Sequence, residues 1–208
     1  MHQTRASITK KLPIPRKGTK YLARALRYHR NAVPVVIAVR DMLKLAHNAR
    51  EVKHMIQRKI LKINGRLVKD HREPVCLFNQ LEAEKVYRLG LLKTGKFYFE
   101  ELSKIENFLC KVTGKNLVRG GIIQLGLHDG STLITKNSDI KPGDSLYLDK
   151  KGKIAEHISL TKGKEIFVIS GKHQGNIGSA SSIKGNYFDI KYSGGTVTLD
   201  KLSLIAIK

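Results

Sequence analysis

The sequence predicts a multidomain α+β chain with four parts: a basic N-terminal extension, a small helix–helix–hairpin module, a β-rich central domain and a small C-terminal β-barrel. Three observations lead there. Charge is entirely one-sided at the start of the chain. Helical periodicity occupies one short window after Pro34. Beyond residue 93, two-residue alternation and glycine-marked turns replace it.

The extension covers residues 1–34. Residues 1–40 carry ten Lys/Arg and no acid, and the first acid is Asp41. Blocks this one-sided are often arms that bind nucleic acid. A solvated tail or an organelle transit peptide has a similar charge, but transit peptides are also serine-rich, and this segment has only Ser7. Prolines and cations in "KKLPIPRKGTKYLARALRYHR" predict an irregular segment that orders on its partner.

The helix–helix–hairpin module covers 35–92. Val36, Val39, Leu43 and Ala46 recur at helical spacing, with Pro34 suited to a first helical position. Asn48 precedes Glu51 by three, a capping-box-like start for a second helix with Val52 and Ile56 inside. Only His47 and Asn48 separate the helices, which requires a sharp turn. In "ILKINGRLV", Leu61 and Ile63 alternate with Lys62, and Asn64-Gly65 is a strong hairpin signal. On the second helix Arg50, Lys53, His54 and Arg58 fall at i, i+3, i+4 and i+8, so one face is apolar and another is basic. Such a stripe is usually a solvated face. Here it adjoins an acid-free arm, which favours RNA.

The central domain covers 93–160. "LCKV", "VRGGIIQLGLHDGSTLI" and "IKPGDSLYL" alternate and are bounded by Gly, Asp and Asn. The barrel covers 161–208. Its "KEIFVISGKHQGNIGSA" raises the possibility of a phosphate-binding loop, and the spacing excludes it. A P-loop has four residues between its glycines, then Gly-Lys-Ser/Thr. Gly171 and Gly175 are separated by three residues, and Asn176 and Ile177 follow. The dinucleotide fingerprint also fails, because Gly171, Gly175 and Gly178 read Gly-x-x-x-Gly-x-x-Gly. Both motifs run into a helix. Here Tyr187, Asp189 and Lys191 alternate with Phe188, Ile190 and Tyr192, and Gly185-Asn186 and Gly194-Gly195 are hairpin-type turns. The glycines serve tight, bent strands.

The whole chain has 208 residues, of which 39 are Lys/Arg and 17 Asp/Glu, a net charge of +22. An excess of this size points to a polyanionic partner, nucleic acid first and a membrane surface second. No apolar run approaches the ~20 residues of a membrane-spanning helix, "VPVVIAV" being the longest clear one, and there is no signal-peptide pattern. Cys76 and Cys110 lie far apart, form no Cys-x-x-Cys and suit buried positions in a reducing compartment.

No catalytic constellation stands out. His2, His29, His47, His54, His71, His128, His157 and His173 show no His-Glu-x-x-His and no paired spacing with cysteine. There is no Gly-x-Ser-x-Gly. His128-Asp129-Gly130 reads as a hairpin turn rather than an acid–base pair, and Asp144 in "PGDSL" reads as a turn residue.

Two resemblances sharpen this picture. "VRDMLKLAHNAREVKHMIQRKILKINGRLV" resembles the small S-four-type RNA-binding module, in which a glycine is common where Lys59 stands. "LPIPRK", "VRD", "NARE", "LCKV", "RGGIIQLGLHDG" and "KPGDSL", in that order before a glycine-rich barrel, resemble the archaeal and eukaryotic small-subunit ribosomal protein S-four-e family over nearly the whole chain. The closing "VISGKHQGNIGSA" is similar to a KOW element, a small SH3-like barrel. The chain departs from the family in a shorter arm, in Leu12 where tryptophan is common and in Gly126 where asparagine is common. Its compact length is more like archaeal members.

The resemblance implies a structural, non-enzymatic constituent of the small ribosomal subunit, cytoplasmic, with small-subunit rRNA and neighbouring ribosomal proteins as partners. It implies no cofactor, metal, small-molecule substrate, membrane or homo-oligomer. The expected RNA-binding residues are Arg16, Lys17, Lys20, Arg24 and Arg27 in the arm, Arg50, Lys53, His54, Arg58, Lys62 and Arg66 in the module, and Lys172 and His173 in the barrel turn. The rivals are an RNA-modifying enzyme using the same docking module and a free-standing KOW-type RNA-binding factor. For the enzyme, only 93–160 remains as a catalytic domain, and it is small and lacks a nucleophile or acid–base cluster.

Overall fold

The computed structural model describes residues 3–27, 31–192 and 195–208. It is mostly β-sheet with few helices, an α+β fold of several small sheets, and it divides into two compact units. The first contains residues 1–91 and 95–106, the second 92–94 and 107–208.

In the first unit the extension is already structured. Strands β1 (Gln3–Thr4) and β2 (Tyr21–Leu22) pair antiparallel. The guanidinium of Arg5 closes the loop between them by donating to the carbonyls of Pro15 and Thr19. Leu12 and Ala25 are buried, and Phe97 N donates to Lys11 O at 2.8 Å. The expectation of an arm that orders only on its partner is therefore corrected: two apolar side chains anchor it to its own unit. Tyr28, His29 and Arg30 of that segment lie outside the described residues.

Strand β3 (Ala32–Pro34) leads into helix α1 (Val35–Ile37), which widens into a π-helical stretch over Ala38–Met42. This differs from the single helix expected to Ala46, and Pro34 is the extended cap rather than the first helical residue. Val33 to Val39 are buried on every side, so no apolar stripe selects a long helix. The β-branched Val35, Val36, Ile37 and Val39 also crowd a regular turn. The open amides of Val35 and Val36 donate to the carbonyls of Glu73 and His71. Strand β6 (Pro74–Cys76) carries that segment into pairing with β3.

Helix α2 (Ala49–Gln57) starts as expected: Asn48 Oδ1 accepts from Glu51 N at 2.9 Å, and the Glu51 carboxylate reaches back to His47 N at 2.7 Å. It ends in a Schellman arrangement, with Lys59 N on Ile56 O and Ile60 N on Met55 O. Lys59 takes the left-handed conformation at φ 59°, the position where glycine has no side-chain penalty. Strands β4 (Lys62–Ile63) and β5 (Arg66–Leu67) form the expected hairpin around Asn64-Gly65, both at positive φ. With β7 (Gln80–Glu82), β8 (Val86–Leu91) and β9 (Phe97–Leu102) they form a sheet in the order β5-β4-β7-β8-β9. The expected boundary at residue 93 falls inside the β8–β9 hairpin, whose second strand pairs back onto β8.

The second unit holds two five-stranded sheets. Strands β10 (Phe108–Val118), β11 (Ile122–Leu127), β12 (Thr132–Thr135), β13 (Ser145–Leu148) and β14 (Ile154–Ile158) run in the order β12-β11-β10-β13-β14. The first half of β10 pairs with β13. A bulge between Val112 and Gly114 precedes its second half, which pairs with β11. Strands β15 (Glu165–Val168), β16 (Ile177–Lys184), β17 (Tyr187–Tyr192), β18 (Gly195–Asp200) and β19 (Leu204–Ile207) run in the order β18-β17-β16-β15-β19. Gly194 of the expected turn lies outside the described residues. Each sheet has its own core, around Leu125, Ile140 and Leu146 in one and Ile166, Ile190 and Leu204 in the other. Strand β13 serves both, since Leu146 and Leu148 point into the first and Tyr147 packs on the second.

A buried lysine also ties these sheets together. Lys111, on β10, is only 3% exposed. Its Nζ donates to the carbonyls of Lys201 at 2.8 Å and Leu202 at 2.9 Å, in the 3-10 turn before β19. Burial pulls its pKa from 10.5 down to about 8, with nearby Asp200 opposing and Lys201 reinforcing the shift. The folded chain therefore holds this proton less tightly than the unfolded chain. The penalty for the buried charge is complete below about pH 8 and disappears as pH rises towards 10.5. The unfolding free energy of the natural chain, measured against Lys111→Met by urea denaturation, should rise by a few kcal/mol across that window. A difference that stays flat between pH 7.5 and 10.5 would contradict a charged, buried Lys111.

Candidate nucleic-acid interface

Helix α2 carries Val52 fully buried and presents Arg50, Lys53 and His54 to solvent, with Arg58 exposed at its C-cap. The expected two-faced helix is thus observed. None of Arg50, Lys53 and Arg58 has an ion pair among the described residues. Lys59, read in the sequence only as a cap position, adds a further exposed cation directly after them.

The hairpin contributes unequally. Lys62 is half-buried on β4. Arg66 is exposed on one side but donates to Glu73 Oε2 at 2.6 Å. Glu73 is buried and also accepts from the amides of Lys69 and Asp70. Arg66 is therefore partly committed to holding the 69–73 loop.

In the arm, Arg16, Lys17, Lys20 and Arg27 are exposed and Arg24 is half-buried. Lys20 lies over the Tyr21 ring at 5.5 Å. The far end of the arm approaches α2 through the 70–73 segment. Leu26 N donates to Arg72 O at 3.0 Å. His71, one residue earlier, has its pKa lowered mainly by burial, with Lys53 and Arg72 adding repulsion against the pull of Asp70. The cations around His71 are Lys53 and Arg72. The structure brings arm and helix into one unit, but not through a shared ion-pair network.

The glycine loop of the second unit lies between β15 and β16, both strands. No helix follows it, so the geometry of a phosphate-cradling helix terminus is missing there. Gly175 has φ +80°, and a methyl group on it would lie 2.4 Å from the Leu92 carbonyl oxygen. Gly171 has φ +89° and open space around it. Lys172 is exposed, whereas His173 is half-buried with its Nδ1 3.0 Å from Tyr192 Oη. Of the two expected turn residues, only Lys172 is uncommitted.

Histidines and carboxylates elsewhere serve the backbone. The His128–Gly130 segment is the expected turn, with Asp129 accepting from Ser131 N and Oγ. Asp144 is a turn residue and more. Nearly buried, it accepts from Lys141 N, Leu160 N and the His157 ring. Cys76 and Cys110 are both buried. Among the described residues there is no cluster able to hold a metal ion, and no helix is long and apolar enough to cross a membrane.

An excess of cations, many of them exposed, with several carboxylates engaged by backbone amides, suits a polyanionic partner. Comparison with known proteins makes the class specific. Residues 83–154 match the model of ribosomal family S4e. The small ribosomal subunit protein eS4 of Methanocella arvoryzae is 33% identical over 190 residues, 88% of this chain and 81% of the relative. That of Archaeoglobus fulgidus is 34% identical over 190 residues, 88% and 80%. The crystal structure of the 30S ribosomal protein S4e from Thermoplasma acidophilum superposes with a TM-score of 0.73 at 28% identity, covering 85% of this chain and 95% of that one. The chain belongs to the small-subunit ribosomal protein S4e family, whose members are structural rather than enzymatic components of the ribosome.

The two loop glycines give a direct comparison. Gly175→Ala should cost well over ~1 kcal/mol, because strain and a backbone clash add. Gly171→Ala should cost less, because only the conformation is strained. Equal losses in chemical denaturation would show that the Leu92 contact contributes nothing.

Proposed function

We propose that this chain binds small-subunit rRNA through its surface cations and helps to organise it during subunit assembly, alongside neighbouring ribosomal proteins in the cytoplasm. The carrying observation is the row of exposed, unpaired cations on α2, Arg50, Lys53 and Arg58, in a unit that also bears the basic arm. Arg16, Lys17, Lys20, Arg24 and Arg27 add phosphate contacts from the arm, and His54, Lys62 and Arg66 extend the surface of the module. Guanidinium forks suit paired phosphate oxygens and lysine supplies point charge. Folded RNA offers mainly backbone, 2′-OH and shape, so little base-specific readout is needed.

The α2–hairpin segment supports an S-four-type module. The last sheet has the neighbour order of a five-stranded SH3-like barrel, with its first strand between the second and the last, which supports a KOW-type unit. Lys172 then stands at the barrel turn as a further phosphate contact, with His173 beside it held by Tyr192.

Replacing Arg50, Lys53 and Arg58 together with Ala tests the surface. Each lost phosphate contact should reduce the salt slope of rRNA binding by roughly 0.7–0.9, so the triple variant should be about 2–3 shallower as well as weaker. An unchanged slope removes α2 from the interface. Sedimentation of native lysate in magnesium-containing sucrose should carry the chain with the small subunit in stoichiometric amount. Migration at the top of the gradient would instead favour a free RNA-binding factor.

A further inference from the structure

The second unit carries a surface that the basic helix does not explain. Beyond the bulge at Val112/Gly114, strand β10 has only β11 beside it, and β11 has β12 on its other side. The result is a three-stranded ribbon ending in the turn Arg119-Gly120-Gly121, where both glycines have positive φ and nothing within 4 Å of an added Cβ. Aliphatic side chains stand exposed on both faces of this ribbon. On one face Leu117 is 78% exposed, beyond its pairing partner Ile123, which belongs to the core. Ile134, 72% exposed, shares the other face with the Val118–Ile122 pair.

Exposed aliphatics on two faces of a narrow ribbon suit an occupant that encloses it, not one that lies flat on it. The charge says which kind. Arg119 at the tip, Lys115 on β10 and Lys136 just after β12 are cations, no acid lies between residues 112 and 128 or between 131 and 138, and Asp139 follows next to Ser138. Asp129 is at the opposite end of the ribbon, in the β11–β12 turn. A protein groove matching an aliphatic wedge needs no positive rim. A cleft in folded RNA does, and it offers ribose and base surfaces for the aliphatics and phosphates for the cations.

We infer that the β10–β11–β12 ribbon tip is a wedge that inserts into folded rRNA, with Leu117, Val118 and Ile134 against sugars and bases and Arg119 and Lys136 on flanking phosphates. The inference rests on the rRNA-binding reading above and adds a second contact region, on a different unit from α2. Lys115 is already occupied, donating to Ser138 O, and fixes the base of the wedge.

The test uses the full chain and transcribed small-subunit rRNA. Leu117→Ser with Ile134→Ser removes the aliphatic contacts and keeps every charge. Affinity should fall at least tenfold with the salt slope unchanged. Arg119→Ala with Lys136→Ala should lower the slope by about 1.5. A photo-cross-linking residue at position 117 should join rRNA in assembled subunits. Natural affinity in both variants, or a cross-link to a neighbouring protein, overturns the wedge while leaving the basic helix untouched. If the natural chain itself does not bind the rRNA, the function proposed above fails, and the wedge fails with it.

Discussion

The scarcity of carboxylates governs this structure. With 17 acids against 39 cations, most positive charges cannot find an internal partner. The fold also directs several of its acids to backbone amides. Glu51 receives its own helix start, Glu73 the amides of a loop, Asp144 two amides and a histidine, and Asp149 two amides of the turn before β14. A carboxylate fixing a buried turn contributes more to folding than one in an exposed ion pair, whose net worth is small. The consequence reaches function directly. Cations left over are held apart on small, locally stapled elements, and an RNA backbone can supply the missing negative charge.

The same logic explains how such a chain stays folded without long helices. Each sheet is small, and each core is its own cluster of aliphatics. In the second unit the link between the two sheets includes a buried ammonium on two carbonyls at the end of a 3-10 turn. That contact is polar, directional and buried, so it specifies one arrangement of the sheets where aliphatic packing alone is more permissive. In the first unit the corresponding links are backbone bonds: the amides of α1 end on the 71–73 loop, and the arm closes on Phe97 and Arg72.

Much of this was legible in the sequence because it rests on local rules. The Asn48/Glu51 cap, the Asn64-Gly65 turn, the Asp129-Gly130 turn and the strand–loop–strand reading of the glycine segment each depend on a few adjacent residues. So does the basic face of α2, which follows from helical spacing once the cap sets the phase. The length of α1 and the order in the arm were not legible. Both depend on burial by residues distant in the chain. Val35 to Val39 look like a helical stripe, but the folded chain buries all of them and binds the Val35 and Val36 amides to Glu73 and His71, and Leu12 looks like a linker residue until it is enclosed.

By itself, then, the sequence determined the excess of positive charge, the turns and the phase of α2, because backbone conformation at Gly, Asn and Asp and the side-chain period are local properties. Tertiary structure alone decided which charged groups remain available. Arg66, His173 and Lys111 look like any other polar residues of a basic chain. Only the folded positions of Glu73, Tyr192 and the 201–202 carbonyls give them internal partners, since a hydrogen bond between residues up to 91 apart in the chain exists only once the chain has closed that loop.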